Sequence, residues 1–155
     1  MRSLLAVDLG LKTGLALYGG DGRLVWYRST NFGSMARLKR GAFSVLNGIP
    51  DLAWMVLEGG GAIAEVWEKE AEGRRVAVRR IAAHHWRERL LYVREQRTGK
   101  LAKRNAGEIA RRVIDWSGAA RPTSLRHDAA EAILIGLWGV LYVEWLDALP
   151  AEVRR

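Results

Sequence analysis

Hydrophobic residues in this chain come first in short runs closed by glycine or a charge, and later in periodic stretches. Leu4-Leu5-Ala6-Val7 leads into Asp8-Leu9-Gly10. A continuous apolar run bounded by turn signals predicts a buried strand. Residues 15–18 predict a second strand, and residues 23–27 a third. Between them Gly19-Gly20-Asp21-Gly22 supplies the positive φ that tight hairpin turns need, so the first three strands form an antiparallel meander. A polar break over residues 29–34 precedes a helix over about 35–46, with Met35, Leu38, Ala42 and Val45 near helical spacing. Asn47-Gly48-Ile49-Pro50 carries the glycine and proline expected at a helix end.

Residues 52–57 form the most apolar run, which stops at Glu58. It does not alternate, and so fits a parallel strand covered on both faces. Gly59-Gly60-Gly61 follows, then a helix over about 62–72 with Ile63, Val66, Trp67 and Ala71 on one face. A fifth strand is expected at residues 76–78, a short helix at 84–91, a basic loop at 94–103 and a helix at about 103–116. Ala119-Ala120-Arg121-Pro122 breaks the chain again. The last helix should run from residue 123 or 124 to about 145, and it is apolar nearly all round, as a buried helix is. This order predicts an α/β fold in which helices flank a mixed five-stranded sheet, three strands antiparallel and two parallel. Residues 1–147 should form one domain and 148–155 a frayed tail.

Composition narrows the class. A hydrophobic share of 49% and a charged share of 27% are those of a globular chain. With no cysteine there is neither a disulfide framework nor a thiolate metal site. Met1-Arg2-Ser3 leads straight into the first strand and no apolar run has membrane-spanning length, so a cytoplasmic protein is expected, in a bacterial or phage-infected cell or, less readily, an organelle stroma. The net charge of +8 is localised: Arg74 to Arg112 holds thirteen Lys/Arg against Glu88, Glu95 and Glu108. Such a stripe is the electrostatic footprint of a nucleic-acid binder. A basic membrane-surface helix needs a long apolar face beside the charges, which much of this stripe lacks.

Four acids abut apolar elements. Asp8 and Glu58 end strands, and Asp128 and Glu131, three apart and so on one helix face, open the last helix. Asp8 has an ordinary role open to it as a turn cap, and Asp128 with Glu131 as a helix-capping pair. Together they need a shared cation, and oxygen ligands without cysteine select Mg²⁺ or Mn²⁺. Two such ions stabilise both the attacking and the leaving oxygen of a phosphodiester cleavage. Among the histidines, His84 and His85 read as cap or surface groups, while His127 stays in view because it adjoins Asp128. Trp26 and Trp86 read as packing residues that are also able to stack on bases.

Three stretches then resemble one family. Leu5-Ala6-Val7-Asp8-Leu9-Gly10 with Thr13-Gly14, Val56-Leu57-Glu58, and His127-Asp128-Ala129-Ala130-Glu131-Ala132 are similar, in order and approximate spacing, to the RuvC-type Holliday junction resolvases. The last stretch looks most like the phage and plastid members. The resemblance implies an RNase H-like fold, with two Mg²⁺ or Mn²⁺ ions held by Asp8, Glu58, Asp128 and Glu131. It implies a homodimer that cuts four-way DNA by paired nicks, with Ile63, Val66 and Trp67 near the dimer interface. Lys12, Arg74, Arg75, Arg79, Arg80, Lys100, Lys103 and Arg104 become candidates for holding the junction arms, and Lys100 and Lys103 also for meeting transition-state charge. Glu131 departs from the aspartate of the better-known bacterial members, a longer arm able to shift one metal. A branch-migration partner is compatible with the resemblance.

Two rivals share parts of this pattern. An RNase H-like nuclease of the RuvX type, acting on structured RNA, shares the opening strand and the basic character, but Glu58 and the Asp128/Glu131 pair favour the resolvase. A nucleotide-binding module of the actin and sugar-kinase type needs two lobes and a second Asp-x-Gly motif, which this chain lacks.

Overall fold

The computed structural model describes residues 2–154. At its centre β1 (Ser3–Asp8) pairs antiparallel with β2 (Lys12–Gly19) on one side and parallel with β4 (Leu52–Glu58) on the other. β3 (Leu24–Asn31) extends the antiparallel side and β5 (Ala77–Ile81) the parallel side, giving the order β3-β2-β1-β4-β5. This is the mixed five-stranded sheet that the apolar runs predict.

Both faces of the central strands are buried, which is why β1 and β4 read as unbroken apolar runs. Leu5, Val7, Leu15, Leu17, Met55 and Leu57 pack towards α1 (Met35–Asn47) and α2 (Gly61–Glu72). Leu4, Ala6, Ala16, Tyr18 and Val56 pack towards α4 (Gly99–Ser117) and α5 (His127–Tyr142), with α3 (Ala83–Leu90) beside them. α5 lies close on the sheet because it offers glycine where the sheet rises: a Cβ at Gly136 would stand 2.2 Å from the Tyr18 ring. The Tyr18 hydroxyl in turn donates to the Ile133 carbonyl at 2.5 Å, so its polar end is satisfied inside the core.

The largest differences from the sequence-based bounds lie in β3, α4 and α5. β3 continues through Ser29, Thr30 and Asn31, which pair with Gly14, Thr13 and Lys12, because an edge strand tolerates polar residues. α4 starts at Gly99 and shortens the predicted basic loop. The Thr98 side chain caps it by accepting from the Leu101 N–H, and a single 3₁₀ turn (Val93–Gln96) precedes it. α5 begins at His127 and ends at Tyr142, several residues inside the expected helix at both ends. Within the tail expected at 148–155, of which Arg155 lies outside the described residues, Val153 is buried in the main core and the Arg154 guanidinium lies over the Tyr92 ring. Among the described residues no helix is long and apolar enough to cross a membrane.

Candidate active site

Asp8 and Glu58 end adjacent parallel strands at the same level, as partners in the β1–β4 register. Just beyond them the Leu9 N–H donates to the Glu58 carbonyl at 3.3 Å. Side chains alternate along a strand, so both carboxylates point to the face that Ala6 and Val56 present to α5. The helix reaches them through Gly14, the β2 partner of Asp8. A Cβ at Gly14 would lie 1.9 Å from the Asp128 carbonyl oxygen, so glycine lets the first turn of α5 rest on β2. Glu131, nearly one turn further along, then arrives over the strand ends. One carboxylate oxygen each from Asp8, Glu58 and Glu131 lie within 4.8 Å of one another.

Asp128 does not join that cluster. Its Oδ2 accepts from the Ser29 hydroxyl at 2.8 Å, and its Oδ1 from the Ala129 N–H at 2.8 Å. Its charge is nonetheless felt at Asp8. His127 Nε2 stands 2.6 Å from Glu131 Oε1, one turn away on the same helix. Glu58 Oε1 accepts from the indole N–H of Trp86 at 2.6 Å. Ser29 sits in a stretch that reads as a polar break. The hydrogen-bonding end of Trp86 is hidden behind its hydrophobic signal.

Burial and neighbouring charge raise the pKa values of Asp8 and Glu131. Burial, followed by the charges of Glu131, Glu58 and Asp128, pushes the Asp8 carboxyl up to about 8. Burial likewise pushes Glu131 up, opposed by His127 and by Arg87. A group whose pKa is raised on folding stabilises the fold while protonated, and that contribution is lost as pH rises through the folded value. Cation-free protein should therefore lose stability as pH climbs from about 4 to about 8, at up to about 1.4 kcal/mol per pH unit for one proton. For a chain of this size that is roughly 3 °C in Tm per unit. Asp8→Asn, which cannot take up that proton, should flatten the slope. Thermal melts of both proteins in a chelator from pH 5 to 9 test this, and parallel curves would refute it.

The predicted basic residues separate into groups. Lys12 is exposed at the start of β2, at the carboxylate end of the sheet. Lys100, Lys103 and Arg104 are exposed on the first turns of α4, with no ion pair among the described residues. Arg80 is held by Glu68 through two short contacts, and Arg79 lies over the Tyr142 ring. Arg74 and Arg75 precede β5 and so lie at the opposite end of the sheet from Asp8 and Glu58. Arg74 also pairs with Glu70 at 3.6 Å. A linear charge count cannot tell one end of a strand from the other.

Of the three interface candidates on α2, Trp67 is fully enclosed in the chain's own core and offers no surface. Val66 is 9% exposed and Ile63 half-buried. Val66 and Met35 line a groove of about 350 Å³ between α2 and α1.

No family model and no curated protein matches the chain. Solved structures do. The structure described as "T. thermophilus RuvC in complex with Holliday junction substrate" superposes with a TM-score of 0.66 at 16% identity, over 97% of this chain and 99% of that one. A second, "Thermus thermophilus RuvC structure", also superposes at 0.66, with 14% identity over 92% and 96% of the two chains. The chain therefore has the RNase H-like fold of RuvC, with the sheet the sequence predicts, along nearly its whole length.

Proposed function

We propose that the protein is a divalent-metal-dependent endonuclease that acts as a homodimer and resolves four-way DNA junctions by paired, symmetric nicks. The observation that carries this reading is the convergence of Asp8, Glu58 and Glu131 from β1, β4 and α5 on one point, with the Asp8 carboxyl forced up to about 8. Three mutually repelling carboxylates at the edge of a core are relieved by a cation, and an all-oxygen donor set suits Mg²⁺ or Mn²⁺. The donor set fits that group, with Asp8, Glu58 and Glu131 as the residues to hold it. Asp128, braced by Ser29, supplies a fourth negative charge beside them. When bound, such ions neutralise phosphate charge and stabilise the attacking and leaving oxygens.

The chain's own residues do the rest. The carboxylate floor orients a water oxygen in line with the scissile phosphorus. As that oxygen bonds to phosphorus and gives up a proton to solvent, the bond to O3′ breaks and O3′ takes a proton from solvent, leaving a 3′-hydroxyl and a 5′-phosphate. Lys12 and the α4 cations contact backbone phosphates, which fixes position without reading sequence. A two-fold dimer supplies one site per strand of a symmetric junction, which accounts for paired cuts. The α1–α2 groove lined by Met35 and Val66, with the half-buried Ile63 on the same helix as Val66, is the face proposed for the dimer contact.

A labelled synthetic four-way junction tests the reading, compared with linear duplex and structured RNA in Mg²⁺ or Mn²⁺. Symmetric nicks confined to the junction are the expected result. Equal cutting of linear duplex, cutting of RNA alone, or no cutting with either metal would overturn it.

A further inference from the structure

α3 lies above the carboxylates because β5 brings it there: Ile81, the last residue of β5, is the register partner of Glu58. Five residues later the Trp86 ring is 1% exposed among the core residues, and its N–H points out of that core at Glu58 Oε1, 2.6 Å away. The Arg87 guanidinium sits 5.3 Å from the indole centroid. An indole nitrogen donates one hydrogen bond and accepts none, so it binds only an oxygen with a free lone pair and takes no proton from it.

We propose that Trp86 is a positioning residue for Glu58, fixing the rotation of its carboxylate so that a divalent cation meets a ready-oriented ligand; this rests on the metal-dependent reading above. Glu58 is a long side chain at the open end of a strand. Without the indole its carboxylate keeps only its contact with Asp8 and gains rotational freedom, which is lost each time a cation binds. Groups that hydrogen-bond to metal ligands typically change metal affinity 10–100-fold. The burial of Trp86 follows from packing alone, but packing alone does not require its one polar atom to meet the one carboxylate on β4.

The experiment titrates Mn²⁺ into wild type, Trp86→Phe and Leu90→Ala by calorimetry, with circular dichroism to establish folding. Phe keeps a ring in the core and removes the N–H. Leu90→Ala loosens the same helix without touching Glu58. The expected result is an affinity about 10-fold lower in Trp86→Phe and within about 2-fold of wild type in Leu90→Ala. The Mg²⁺ midpoint for nicking should rise by a similar factor in Trp86→Phe, with the plateau rate retained. Unchanged Mn²⁺ affinity in folded Trp86→Phe, or an equal loss in Leu90→Ala, overturns the inference while leaving the metal-dependent reading standing. Failure of wild type to bind Mn²⁺ overturns both. Should Trp86→Phe not fold, ¹⁵N-indole labelling of wild type replaces it: one of the seven tryptophan N–H resonances should shift on Mg²⁺ addition and be displaced in Glu58→Gln. A spectrum in which none responds overturns the inference.

Discussion

Asp8→Asn should reduce junction nicking by at least about 10³-fold while junction binding persists. Asparagine keeps the size of the side chain and one carbonyl oxygen, so the end of β1 is undisturbed. It removes the charge that, with Glu58 and Glu131, makes the site a cation trap. In the proposed reaction charge stabilisation of the phosphate is the main contribution asked of this site, and losing about 4 kcal/mol of it corresponds to a factor of 10³. The same change should make the cation-free protein more stable at pH 8, because burial and three neighbouring acids all oppose a charged Asp8 there. On the proposed reading Mg²⁺ should stabilise wild type by an amount that grows with the logarithm of its concentration over Kd, and the variant should lose most of that gain. A gel assay with labelled junction, a binding titration without divalent metal, and melts with and without Mg²⁺ together read all three consequences. Retained nicking, or weakened binding equal to the loss of nicking, would remove Asp8 from the chemistry.

That combination of higher stability and lost activity is what a site built from repelling groups predicts, and much of it is visible in one dimension. The carboxylates that close apolar strands are legible because a buried strand has few reasons to end in an acid. The register that sets Asp8 beside Glu58 follows from two parallel strands of similar length. The contributors from elsewhere are hidden for physical reasons. Ser29 lies on an edge strand, where polar residues give no strand signal, yet it braces Asp128. Trp86 reads as core because its hydrophobic surface dominates, and its single N–H has no periodicity. The buried face of α4 includes Ala102, Asn105 and Ala106, small or polar residues that disguise its first turns as loop. Arg74 and Arg75 belong to the densest basic stretch but stand at the far end of the sheet, since sequence distance along a strand says nothing about which end faces the chemistry. Val153 shows the converse, an apolar residue near a terminus buried in the core with Leu149 packed beside that core.

The site's dependence on close backbone approach gives the other large effect. Gly14→Ala should destabilise the fold by roughly 3 kcal/mol or more, lowering Tm by about 10 °C, and should also weaken Mn²⁺ binding in the molecules that remain folded. The added methyl would meet the carbonyl oxygen of Asp128 at 1.9 Å and its carbonyl carbon at 2.4 Å. Both are backbone atoms at the start of a helix, so no rotamer change relieves the clash. α5 must lift at its first turn, which carries Glu131 away from Asp8 and Glu58 and uncovers Ala16 and Tyr18 beneath it. Gly107→Ala is the matched comparison. Gly107 is in the middle of α4, and its Cβ would meet nothing within 4 Å. There the gain in helix propensity alone should act, stabilising by about 0.5–1 kcal/mol and leaving Mn²⁺ affinity unchanged. Paired thermal melts and Mn²⁺ titrations should therefore show one chemical change with opposite signs at two glycines. A mild effect at Gly14 would mean that α5 does not rest on β2 as closely as the site requires.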